Sequence, residues 1–120
     1  MKSIKLILSI TILFASSIIF AQKDVEFDKK NFKDDKSAFR DARISLEVGD
    51  GYMEPKPIPS YNQAIPHYEK AYEFNANSSY LNYQLGLCFI NTIYKFKALE
   101  YFKKAFELNP NKHPDIHYYI

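Results

Sequence analysis

Residues 79–110 read SYLNYQLGLCFINTIYKFKALEYFKKAFELNP, and they carry Leu85-Gly86-x-x-Phe89, then Ala98, Phe102, Ala105 and Pro110. The pattern predicts two antiparallel helices joined by a turn. Gly86 falls in the middle of the first helix, where glycine costs about 1 kcal/mol of helix propensity relative to alanine. That cost is tolerable if a neighbouring chain must come close, and Ala98 and Ala105 on the second helix are the expected small partners. Phe89 and Phe102 fill the space beside the contact. Asn109-Pro110 ends the second helix, because proline disfavours helical geometry in the residue before it.

The order and spacing resemble the tetratricopeptide repeat (TPR), a helix-turn-helix unit of about 34 residues. Of the usual positions only Asn82 departs, where a large apolar residue is expected. The resemblance implies an all-α fold of antiparallel helical hairpins stacked into a TPR solenoid, with a concave face that binds other proteins.

A degenerate copy lies upstream. Gly49-x-x-Tyr52 repeats Gly86-x-x-Phe89 at a spacing of 37, and Ala64, Tyr68 and Ala71 repeat Ala98, Phe102 and Ala105 at 34. The segment Glu54-Pro-Lys-Pro-Ile-Pro-Ser60 absorbs the difference as a stiff turn, since its prolines cannot sit inside a helix. Ser60 is the expected N-cap of the following helix. Pro66 falls early in that helix, where a missing N–H matters least. Ala76 stands where the closing proline would be, so Asn75–Ser78 must make the turn.

Lys2 and Lys5 precede an apolar run from Leu6 to Phe20, then Ala21-Gln22, which reads as a secretory signal peptide cut after Ala21. The rival reading is an uncleaved anchor, for which the run is short. The expected organisation is therefore 1–21 signal peptide, 22–33 flexible lead-in (QKDVEFDKKNFK, polar and without period), 34–78 degenerate repeat, 79–112 clear repeat, and 113–120 the start of a third repeat. HPDIHYYI aligns with the opening of another first helix and ends in Tyr118, Tyr119 and Ile120. The chain thus reads as the N-terminal piece of a longer protein, able to self-associate through an apolar end.

The chemical inventory excludes most enzyme classes. Cys88 is the one cysteine and sits beside Phe89, so it reads as a buried small hydrophobe. Nothing places His67, His113 or His117 as a base near it. His113 and His117 are four apart with Asp115 between, but Pro114 places His113 outside a helix, and helix-start chemistry explains the segment without a metal. No glycine-rich phosphate loop or hydrolase elbow occurs, and no cofactor is expected. Sixteen basic residues less Lys2 and Lys5 leave fourteen in the mature chain, against fourteen acidic. The Lys29-Lys30 and Lys103-Lys104 pairs read as solvated faces, with no nucleic acid implied. Ten tyrosines and ten phenylalanines read mainly as packing between repeat helices.

In TPR proteins the first helix of each hairpin lines the groove. By that resemblance the groove positions are Tyr80, Tyr83, Gln84, Leu87 and Asn91 in the clear repeat, and Arg43, Leu46, Glu47 and Asp50 in the degenerate one. Chaperone-binding members hold a peptide carboxylate with lysine and asparagine; Tyr83 and Leu87 stand at those places here, so no such clamp is present. More narrowly, the FAQ end of the signal peptide, the clear repeat and HPDIHYYI resemble the amino-terminal part of a family of Bacteroidetes envelope proteins. In that family TPR repeats precede a β-propeller and an OmpA-like peptidoglycan-binding domain, and some members are associated with type IX secretion. The resemblance implies an exported, periplasmic, outer-membrane-associated scaffold with protein partners in the envelope. Peptidoglycan would be bound only through a downstream domain absent from these residues. A passive spacer, or part of an enzyme whose active site lies outside this chain, are the alternatives.

Overall fold

In a computed structural model, residues 23–120 are described, and the expected signal peptide lies outside them. Four α-helices follow one another: α1 (Lys36–Tyr52), α2 (Tyr61–Phe74), α3 (Ser79–Ile90) and α4 (Ala98–Leu108). Short 3₁₀ turns occur at Lys29–Asn31, Lys95–Lys97 and Pro114–Tyr118. Helix α1 packs on α2, α2 on α3 and α3 on α4, the nearest-neighbour order of stacked hairpins. Among the described residues every regular element is helical, and no helix is long and apolar enough to cross a membrane.

Two of the helices begin at a side chain that satisfies a free N–H of the first turn. Asp35 accepts from Ala38 N at 3.2 Å to open α1, and Ser78 Oγ accepts from Leu81 N at 3.1 Å to open α3. Ser60 does occupy the N-cap of α2, but its side chain makes no capping bond. Its backbone N–H instead donates to Tyr52 O at 2.8 Å and closes the proline-rich loop onto the end of α1. Buried positions recur at helical spacing: Phe39, Ala42, Leu46 and Gly49 on α1, Ala64, Tyr68 and Ala71 on α2, Ala98, Phe102 and Ala105 on α4. Helix α3 is buried nearly all round, because α2 and α4 flank it.

The two repeat glycines do one job, and the neighbour they accommodate is an aromatic ring rather than the alanines expected from spacing. A Cβ on Gly86 would stand 2.6 Å from Phe102 Cε1, and one on Gly49 would stand 2.6 Å from Tyr68 Cε1. The ring of the second helix presses against the glycine of the first, in both hairpins. Asn82 is fully buried, and its Nδ2 donates to Ala76 O and Ser78 O at 3.0 and 2.9 Å. The amide therefore pins the turn that lacks a closing proline.

Residues 23–33 correct the expectation of a flexible lead-in. Val25 N donates to Asn77 O at 2.8 Å, and Asn75 Nδ2 donates to Val25 O at 2.7 Å. Asp24 accepts from Ser79 N at 2.8 Å and from Asn109 Nδ2 at 3.1 Å, while Lys112 reaches both Asp24 and Glu26. Phe27 and Phe32 then join Phe39 and Phe74 in one aromatic group. A polar segment without period is held here by its backbone, one carboxylate and two rings, none of which produces a periodic signal. At the other end, Ile116 is buried and Tyr119 stacks on Phe102 at 4.3 Å, whereas Tyr118 and Ile120 stay exposed. The expected start of a third helix is a single 3₁₀ turn laid against α4.

Candidate protein-binding groove

Helices α1 and α3 present the candidate groove residues, and a hydrogen-bond cluster joins them. Asp50 Oδ1 accepts from Tyr68 Oη at 2.6 Å and from Tyr80 Oη at 2.8 Å. Gln84 Nε2 donates to Tyr68 Oη at 3.1 Å. Burial, with the Asp50 carboxylate adding to it, drives both phenol pKa values well above the ordinary range, so both remain neutral donors. Asp50, Tyr80 and Gln84 thus form one fixed unit at the junction of the two hairpins. Among the described residues the hydrogen bonds to Asp50 are made to its Oδ1 alone.

The remaining candidates are placed separately. Arg43 and Glu47 pair across one turn of α1 at 3.1 Å, with both side chains more than half exposed, so the pair adds little stability. Leu46 is buried in the core. Leu87 is half-buried, and exposed Asn91 at the end of α3 donates Nδ2 to Leu87 O at 2.8 Å. Tyr83 is held by the C-terminal turn: its ring stacks on His113 at 4.0 Å and its hydroxyl donates to Asp115 Oδ2 at 2.5 Å. Burial, then Asp115, raises its pKa. Tyr83 is therefore a junction residue between α3 and the last turn, not an open contact point.

Spacing alone missed Tyr68, which it placed purely as packing. The signal was present, because Tyr68 aligns with Phe102 and differs only by a hydroxyl that has no use in a dry core. The histidines do not converge. His113 lies on Tyr83, His117 meets the edge of Phe106 and His67 stacks on Tyr52. Burial, with Lys112 beside it, lowers the pKa of His113. Among the described residues no group of three metal-ligating side chains is found.

Cys88 is buried, donates to Met53 Sδ at 3.4 Å, and has its pKa pushed up to about 12 by burial. The unfolded thiol ionises from its ordinary 9.0 upward, while the folded one keeps its proton. Above that pH the unfolded state binds fewer protons, so stability falls as pH rises, and the raised tyrosines push the same way. Thermal melts should therefore shift down between about pH 8 and about pH 10, less so in Cys88→Val. An unchanged melting temperature would show that Cys88 and the phenols are open to water.

These features define a TPR-like helical protein. The chain is similar to the photosystem I assembly protein Ycf3 of Acaryochloris marina (strain MBIC 11017), at 30% identity over 98 residues. The alignment covers 82% of this chain and 54% of that protein, so the chain spans about half the length of the relative it matches. No protein-family model and no solved structure matches the chain.

Proposed function

We propose that this protein is a non-catalytic interaction module that holds a segment of another protein on its concave face during assembly of a larger complex. The observation that carries this reading is the cluster of Asp50, Tyr80 and Gln84 around Tyr68, which ties the two hairpins together and engages Asp50 through Oδ1 alone. Half-buried Leu87 supplies an apolar contact one turn further along α3. Similarity to an assembly protein supports the same reading. We place the protein in the bacterial envelope, exported by the Lys2, Lys5 and Leu6–Phe20 pattern and beginning at Gln22 after cleavage.

A photo-crosslinking amino acid placed at Leu87, and separately at exposed Lys103 on α4, tests this in living cells. The expected result is a discrete adduct at position 87, none at 103, and an N-terminal Gln22 peptide from the adduct in periplasmic material. A passive spacer would give no adduct specific to position 87, and intact Met1 in membranes would overturn export with cleavage.

A further inference from the structure

The ordered lead-in builds a cleft that sequence alone does not show. Folding back as a 3₁₀ turn, it brings Lys29, Lys30 and Lys33 opposite Lys36, Arg40 and Arg43 on one face of α1, around a space of about 760 Å³. Phe32 and Phe39 form its floor, their rings stacked at 5.3 Å and inclined by 14°. The one acid on the rim, Asp28, turns its Oδ1 to the Lys30 N–H at 3.0 Å as the cap of the turn.

This concentration of charge has no structural return. Arg43 pairs with Glu47, but among the described residues Lys29, Lys30, Lys33, Lys36 and Arg40 form no ion pair. Residues 1–22 contain no Asp or Glu that could supply one. Lys36 and Arg40 stand four apart on a helix, where like charges are mutually destabilising. The chain beyond residue 21 is neutral overall, so six of its fourteen basic groups lining one cleft is a local asymmetry. Departures from local consistency of this kind concentrate at functional sites.

We infer that this cleft binds an acidic peptide segment of a partner protein, with one bulky apolar side chain seated on Phe32 and Phe39 and its carboxylates on the surrounding lysines and Arg40. A half-open cleft of this size can take one side chain while its rim charges stay in contact with solvent. Phe32 and Phe39 stack on one another, so one face of each ring is already covered, and the apolar surface that remains suits one side chain better than a run of stacked bases. A bilayer surface would meet the rim and leave the floor empty. The cleft lies at the start of α1, and it stands or falls separately from the concave face.

The test is fluorescence anisotropy with a labelled heptapeptide, Asp-Glu-Asp-Phe-Glu-Asp-Glu, on the mature protein. Replacing the peptide's phenylalanine by serine should weaken binding about fivefold, and Lys33→Glu with Lys36→Glu should weaken it more than about tenfold. Lys70→Glu with Lys103→Glu makes the same change in net charge on exposed parts of α2 and α4, and should leave affinity within about twofold at physiological salt. Equal weakening by both pairs would overturn the site, as would indifference to the peptide's phenylalanine. A deoxythymidine oligomer of equal charge binding more tightly would overturn it in favour of nucleic acid, and displacement by a lower concentration of dodecanoate in favour of a lipid carboxylate. The peptide substitution leaves the protein untouched, so the test does not depend on any variant folding.

Discussion

Gly86→Leu should abolish cooperative unfolding. Even a single added carbon would stand 2.6, 2.7 and 2.8 Å from three atoms of the Phe102 ring. That ring cannot step aside, because Tyr119 stacks on it at 4.3 Å and Tyr83 meets its edge at 5.9 Å. Overpacking typically costs about 1–3 kcal/mol, occasionally more, a large share of the total of about 5–15 kcal/mol that a folded domain holds. Gly86→Ala sets two effects against each other, a helix-propensity gain of about 1 kcal/mol and the clash, and the clash should win. Gly51→Ala supplies the contrast: nothing lies within 4 Å of its added carbon, so only the propensity gain remains and the melting temperature should rise. Circular dichroism melts of the three variants decide the matter. Gly86→Ala melting above the parent would mean that the ring and the glycine are not in register.

Removing residues 22–33 should lower the melting temperature by about 10–20 °C, at about 4–8 °C per kcal/mol for a domain of this size. The deletion strips Asp24 from Ser79 N and the Val25 backbone from Asn75 and Asn77, at positions where Asn75 and Ser79 are buried. A buried polar group left without a partner costs about 1–3 kcal/mol. Loss of Phe27 and Phe32 also uncovers Phe39 and Phe74. Asp24→Ala alone should account for a sizeable part, since its carboxylate sits at the N-terminus of α3, where negative charge is favoured. A shortened chain that melts with the parent would restore the reading of this segment as a free tail.

The hairpins were legible because their signal is local. Leu85, Gly86, Phe89, Ala98, Phe102 and Ala105 recur at helical spacings within one repeat, and the copy from Gly49 to Ala71 survives the proline-rich insertion. The lead-in was not legible, because its partners lie 50 to 85 positions away and no short-range pattern encodes them. The cationic cleft shares that cause, since Lys29 and Lys30 look solvated until the turn at Lys29–Asn31 folds them against α1. Of the expected groove positions, Asp50, Tyr80 and Gln84 meet in one hydrogen-bonded cluster, whereas the Tyr68 hydroxyl that joins it was hidden by its role in packing.

Arrays of stacked hairpins ordinarily fray from their ends, because each unit is held only by its neighbours. Asp24 alters that order, for it is hydrogen-bonded to Asn109 at a sequence separation of 85, and Lys112 is tied to Glu26 at 86. The last helix cannot peel away without releasing Asp24 and Glu26, so the two segments belong to one opening unit. Native-state hydrogen exchange would then show the amides near Val25 and those closing α4 opening together. The same stitch slows assembly, since distant closures must be made before they are rewarded. During synthesis the segment from Asp24 can dock on Asn75–Ser79 as these emerge, while its closure onto Asn109 and Lys112 comes last.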